Sequence, residues 1–323
     1  MPRPELAAGG GPDIGIGMEI MRAGVAGAGS MGRNHARVYS LIPGARLTAV
    51  YDADPGRAKA VADEFGAVPV ASLEELANLA DAVSVAVPTV AHREVGCRLM
   101  ELGAHVLMEK PIAPSVEDAG ALVETAKRTG RILQVGHIER FNPVLRQLEH
   151  RLTHPKFIEA HRLSPFPNRS IDIGVVLDLM IHDLEIILHL VRSPVESIDA
   201  VGVPVLMASE DIANARIRFA NGCVANVTAS RISPEKMRKI RVFQSDCYLS
   251  LDYQEQAGQI HWKEGMGIQR AEVEVEKDEP LKLELAAFIA SVARGEDPAV
   301  TGQQGTAALE LALEITRIIR AQW

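Results

Sequence analysis

The chain has 323 residues, 47% apolar and 24% charged, which suits a globular protein of two domains and excludes a disordered or fibrous one. Its formal net charge of −8, with no basic block, argues against nucleic acid or an anionic membrane as partner, and no apolar run reaches the ~18 residues that span a bilayer. The three cysteines (Cys97, Cys223, Cys247) are too few and too scattered for a disulfide frame or a zinc site, and imply free thiols in a reducing cytoplasm.

Residues 1–20 are rich in glycine and proline, lack the features of a secretory signal, and read as a disordered extension. A short apolar strand beginning near Arg22 then ends in Gly27-Ala28-Gly29-Ser30-Met31-Gly32, and a helical pattern follows. Strand, glycine turn and helix in this order form a dinucleotide-binding fingerprint. Gly27 makes the tight turn, Gly29 lets backbone approach a pyrophosphate, and Gly32 lets the helix lie close on the strand. A second strand, 46–51, closes on Asp52, where a carboxylate accepts the ribose hydroxyls and repels a 2′-phosphate, favouring NAD over NADP.

The alternation of short strands and helices continues to about residue 134, as in a doubly wound parallel sheet. Asp54-Pro55 starts a helix to Phe65, Ser72 opens a capping box, 82–87 is a buried strand, 91–101 a helix, 105–108 a strand, Ser115 a cap and 131–135 a sixth strand. After Phe141-Asn142-Pro143 the character changes, and the division is expected as 21–142 for the dinucleotide domain and 143–323 for the second. The second opens with a helix to about 151, a strand at 156–163, a proline loop and an apolar helix at 174–191. Strands follow, with Asn221-Gly222 as a strong hairpin signal, then helices at 281–293 and 302–320. The expected fold class is α/β for the first domain and α+β, on a large, mostly antiparallel open sheet, for the second.

Ligands of open parallel sheets lie beyond the carboxyl ends of the strands, which here present Thr89, His92, Lys110 and His137. In Glu109-Lys110-Pro111 the proline restrains the backbone beside a charge. Asp178 and His182 are i, i+4 in an apolar helix, so the carboxylate can orient the imidazole as a base, or the two form a merely structural pair. His182 and His189 are two turns apart, too far to share an ion, and no metal site is expected. His182 as base, Lys110 as positive donor and Asp178 as support match in chemical type the oxidation of a secondary alcohol.

Together these residues resemble the Gfo/Idh/MocA oxidoreductases over nearly the whole chain. The similar segments are Gly27 to Gly32, Val87-Pro88-Thr89-Val90-Ala91-His92, Glu109-Lys110-Pro111, the stretch from Asp178 through His182 to Asp183, and the tail with Glu284 and Phe288. The resemblance implies a Rossmann domain and an open-sheet domain that commonly makes dimer or tetramer contacts. It implies cofactor contacts from Gly27, Gly29, Ser30, Met31, Gly32, Asp52, Pro88, Thr89, His92, Glu109 and Lys110, and catalysis by Lys110 and His182 with Asp178 in support. The 32–39 and 136–143 segments, Pro165-Phe166-Pro167 and the stretch from Asp172 are similar to the bacterial branch that oxidises the 3-hydroxyl of UDP-N-acetylhexosamines. Within that branch Asp is expected where Glu185 stands. Such a substrate calls for guanidinium groups at its diphosphate, and Arg162 and Arg169, with His137, are the expected substrate contacts. The basic set Arg231, Lys236, Arg238, Lys239 and Arg241 reads instead as a solvated sheet face or a subunit edge. An inositol or free-sugar dehydrogenase and a non-catalytic NAD-binding regulator are the alternatives; the same residues also serve reduction.

Overall fold

The computed structural model describes residues 20–166 and 173–323, so the expectation for 1–19 and the candidate Arg169 lie outside the described residues. The first sheet has six parallel strands: β1 (Met21–Ala26), β2 (Ala45–Tyr51), β3 (Val68–Val70), β4 (Ala82–Val85), β5 (His105–Glu109) and β6 (Leu133–Gly136). Their order is β3-β2-β1-β4-β5-β6, so the chain reverses direction of travel between β1 and β4. Five helices cross between them: α1 (Ser30–Tyr39), α2 (Pro55–Phe65), α3 (Leu73–Leu79), α4 (His92–Glu101) and α5 (Val116–Thr129). Asp54, Ser72 and Ser115 cap α2, α3 and α5 with their side chains, as read from the sequence. β3 carries no strand pattern in the sequence, and its three residues Val68, Pro69 and Val70 pair with β2 at the sheet edge. Proline is tolerated at such an edge, where no neighbour needs its missing N–H.

The second sheet follows α6 (Pro143–Leu148) and β7 (Phe157–Leu163). Its other strands are β8 (Val195–Val203), β9 (Ile212–Phe219), β10 (Val224–Ser230), β11 (Met237–Phe243), β12 (Cys247–Asp252), β13 (Ala257–Glu264) and β14 (Gly267–Val273). The order is β14-β13-β12-β11-β7-β10-β9-β8, antiparallel except for the β7–β10 pair. Asn221-Gly222 turns the β9–β10 hairpin, with Gly222 at φ +83°. β14 escapes the sequence reading because it is exposed on both faces, so burial imposes no alternation on it.

The inner face of this sheet (Ile158 and Ala160, Ala215 and Ile217, Ala225 and Val227, Ile240 and Val242) packs on α7 (Ile181–Val191) and α9 (Gly302–Arg320). Each large apolar side chain buried here contributes ~1.5–3 kcal/mol. The helix expected as one piece from 174 begins with a π turn, Val176–Met180, before α7. Glu210, fully buried, accepts the Val176 N–H at 3.3 Å and so fills the start of that turn. The last helices cross back. In α8 (Pro280–Arg294), Leu281, Leu285, Phe288 and Ile289 join the core beneath α1, while α9 contributes Leu309 to the other face of the first sheet. The stretch 143–323 therefore supplies residues to both cores.

Candidate active site

The glycine turn is shaped by what a side chain would strike. Gly27 has φ +97°, and a Cβ there would sit 2.6 Å from the Ala86 carbonyl. At Gly32 a Cβ would fall 1.6 Å from the Gly27 oxygen, so the helix can approach only as glycine. A Cβ on Gly29 would meet nothing within 4 Å. That open space lies at the N-terminus of α1, which no side chain caps, so its first-turn N–H groups face outward. A pyrophosphate fits this cradle in size and charge. Ser30 and Met31 stand exposed on the same turn.

Asp52 ends β2 with its carboxylate accepting the Ala28 N–H at 2.7 Å, the Asp54 N–H at 2.8 Å and the Arg57 guanidinium at 2.9 Å. Burial opposes its charge, but the Asp54 and Ala28 N–H groups and Arg57 outweigh it and hold the acid below the ordinary Asp range. Beyond β4, Pro88 is exposed and Thr89 partly so, at the mouth of the same crevice. His92 departs from its expected role. It is buried, with Nδ1 3.0 Å from the Pro111 carbonyl and Nε2 3.0 Å from that of Val87. The ring ties the β4 and β5 loops together and has no free nitrogen for a cofactor.

Glu109, expected against the cofactor, is likewise engaged beneath the loop: His35 Nε2 donates to it at 2.9 Å and the Lys110 N–H at 3.2 Å. Burial disfavours its charge, but His35 and Lys110 keep it below its ordinary pKa. Glu284 on α8, fully buried, has both oxygens unpartnered among the described residues; burial, then the Glu109 charge, push it well above its ordinary pKa.

Lys110 follows the end of β5, and its peptide to Pro111 is cis. The ammonium reaches across to the π turn, donating to the Asp178 carbonyl at 2.7 Å and to Asp178 Oδ1 at 3.2 Å. Asp178 thus meets Lys110 rather than His182, whose Nδ1 is buried without a partner. The widened turn separates two residues that a regular helix would stack. Burial foremost, then the Lys110 charge, hold the His182 imidazole well below its ordinary pKa of 6.5, so it is uncharged at neutral pH. His137, beyond β6, is 1% exposed and lies edge-on to His182, with ring centres 6.2 Å apart. Both its nitrogens lack partners, and burial followed by Lys110 takes its pKa down to about 3. Lys110, Asp178, His137 and His182 therefore converge at the seam between the two sheets.

Arg162 does not join them. It is 3% exposed, and its three nitrogens donate to Asp183 (2.8 and 3.0 Å) and Glu139 (2.8 Å). Each of its nitrogens is engaged inside the protein and the side chain is out of water, which removes it as a diphosphate ligand. Beside it Arg140 donates to Glu185 at 2.7 Å, also out of water. The basic set is not one solvated face either. Arg231 is wholly buried and paired with Asp211, Lys239 and Arg241 point outward, and Arg238 lies on the inner face opposite Arg162. The missed signal was the parity of β11, since 238, 240 and 242 share a side.

Among the described residues, no group of three His, Cys, Asp or Glu side chains is placed to hold a metal, and no helix is long and apolar enough to cross a membrane. The family model for the oxidoreductase family with NAD-binding Rossmann fold matches residues 21–137, and that for the GFO/IDH/MocA C-terminal domain matches 145–250. UDP-N-acetylglucosamine 3-dehydrogenase of Acidithiobacillus ferrooxidans is 35% identical over 93% of this chain and 98% of its own. A solved structure of that enzyme superposes with a TM-score of 0.90, covering 94% of this chain and 99% of the other. The scyllo-inositol 2-dehydrogenase (NAD(+)) of Bacillus subtilis is 31% identical over 66% of this chain and 68% of its own. With its cofactor cradle, lysine loop and histidine helix in this arrangement, the chain belongs to the Gfo/Idh/MocA family of NAD-binding oxidoreductases.

Proposed function

We propose that the protein oxidises a secondary hydroxyl of a sugar, the 3-hydroxyl of a UDP-N-acetylhexosamine, to the ketone with NAD. The observation that carries this reading is the reach of Lys110 from the first sheet onto the turn that leads into His182. A hydroxyl entering that seam meets an ammonium and an uncharged imidazole together. His182 takes the hydroxyl proton, for which its neutral form is ready. Lys110, steered by Asp178, donates to the oxygen as negative charge develops there. His137 packs edge-on against the His182 ring and holds its orientation. Bound NAD supplies the hydride acceptor. The Asp52 carboxylate favours the ribose hydroxyls of NAD over the phosphate of NADP. The choice of sugar is supported by the 35% identity to UDP-N-acetylglucosamine 3-dehydrogenase.

Purified protein with NAD and a panel of UDP-sugars, free sugars and inositols tests this by the absorbance of reduced cofactor. UDP-N-acetylglucosamine is expected to turn over, and Lys110→Ala and His182→Ala to lose about 10²–10⁴-fold. Turnover of inositols alone would instead favour the reading supported by the scyllo-inositol dehydrogenase relative. No turnover of any of them would remove the assignment.

A further inference from the structure

The geometry points to Arg238 as an anion-binding residue of the cleft, the group that fits a substrate carrying a phosphate ester. This rests on the sugar-oxidising reading and adds which substrates that site accepts. In β11, Ile240 and Val242 face the core while Lys239 and Arg241 face out, so Arg238 shares the inner side. Its register partner is Arg162 on β7. Two guanidinium groups directly opposite each other repel unless anions intervene. Asp183 and Glu139 take all three nitrogens of Arg162. Among the described residues, Arg238 is left with a single 3.5 Å approach to Glu139 Oε1, an oxygen already held by Arg162 at 2.8 Å.

Two-fifths of the Arg238 side chain (40%) remains exposed, so it stays within reach of solvent although it lies on the inner side of the sheet. Glu139, Arg162 and Asp183 link it to His182, the neighbour of Asp183 in the chain. Its charge is also the smallest of those that depress His182. Burial, then the Arg162 charge, lower the pKa of Arg238 against the opposing pull of Glu139 and Asp183. Paired phosphoryl oxygens suit a guanidinium with both edges available. On a sugar oxidised at His182, a phosphate on a nearby carbon would reach it.

The test compares wild type, Arg238→Gln, Arg238→Lys and the outward control Arg241→Gln. Binding of UDP and of N-acetylglucosamine 1-phosphate is measured by calorimetry, and turnover of UDP-N-acetylglucosamine by NAD reduction. Arg238→Gln is expected to weaken UDP binding and raise KM by about 10- to 100-fold, the range of a charged hydrogen bond, while kcat and NAD affinity hold. Arg238→Lys should recover part of this, and Arg241→Gln should match wild type. Weaker binding of N-acetylglucosamine 1-phosphate as well assigns the contact to the sugar-linked phosphate; loss for UDP alone assigns it to the nucleotide side. Unchanged UDP binding in Arg238→Gln, a loss confined to kcat, or a wild type that binds neither probe overturns the inference. Arg238-dependent UDP binding without turnover of any sugar would sink the proposed reaction and leave the inference standing.

Discussion

Beneath the eight-stranded sheet two groups of buried charges are bonded, Arg162 with Asp183 and Glu139, and Arg140 with Glu185. Along the carboxyl edge of the six-stranded sheet, polar groups are left facing open space: the uncapped start of α1, the void over Gly29 and the exposed Ser30. In the first region charge holds elements together, and breaking one pair strands another. In the second, the open start of the helix offers its N–H groups outward, where an anion can dock. The seam combines both, since Lys110 is anchored on Asp178 while His137 and His182 keep unpartnered nitrogens.

The sharpest way to break this contrast is Arg162→Ala. It leaves Asp183 and Glu139 buried without their cation, and is expected to cost about 3–5 kcal/mol of stability in a denaturant titration. Were Arg162 a substrate ligand instead, the loss would appear in KM with the unfolding midpoint unmoved. Next in size is Gly32→Ala, whose Cβ would fall 1.6 Å from the Gly27 oxygen. It should lower stability by more than about 2 kcal/mol and abolish NAD binding, both readable by thermal unfolding with and without cofactor.

Glu185 sharpens the buried side through pH. Burial, only partly opposed by Arg140, lifts its pKa from 4.5 to about 7. The folded chain therefore holds a proton there that the unfolded chain releases. That contribution is complete below pH 4.5 and is lost as pH rises through 7. In Glu185→Gln the loss across this window should vanish, a difference from wild type of at most about 3 kcal/mol. Parallel stability curves for the two proteins would show that the site does not titrate there. The smallest effect belongs to Gly29→Ala. Its Cβ meets nothing, so stability should hold within about 0.5 kcal/mol while NAD affinity falls, as the methyl group occupies the pyrophosphate space. Equal NAD affinity would show that the cradle is elsewhere.

The first sheet was legible because its demands are local: Gly27 and Gly32 are forced by backbone geometry, and Asp54, Ser72 and Ser115 cap within their own turns. The convergence of Lys110 with the Asp178 turn could be expected only by resemblance, because 68 residues separate the partners. His92 and Arg162 misled for one reason. Residue type suggested a ligand contact, yet each is satisfied by atoms far along the chain, Pro111 for one and Asp183 for the other. Arg238 was hidden by the charges of Lys239 and Arg241 beside it, although strand parity separates it from both. The π turn left no mark in the pattern of apolar residues, so the Asp178–His182 pairing expected of a regular helix did not form.

In the proposed reaction Lys110 and His182 act on one carbon. Following deuterium from UDP-N-acetylglucosamine labelled at carbon 3 into reduced cofactor by mass spectrometry tests this most directly. Wild type should carry the label to the nicotinamide, with Lys110→Met and His182→Ala slowed at least about 100-fold at saturating substrate. Label transfer at the wild-type rate in either variant, or reduced cofactor free of label, would contradict it.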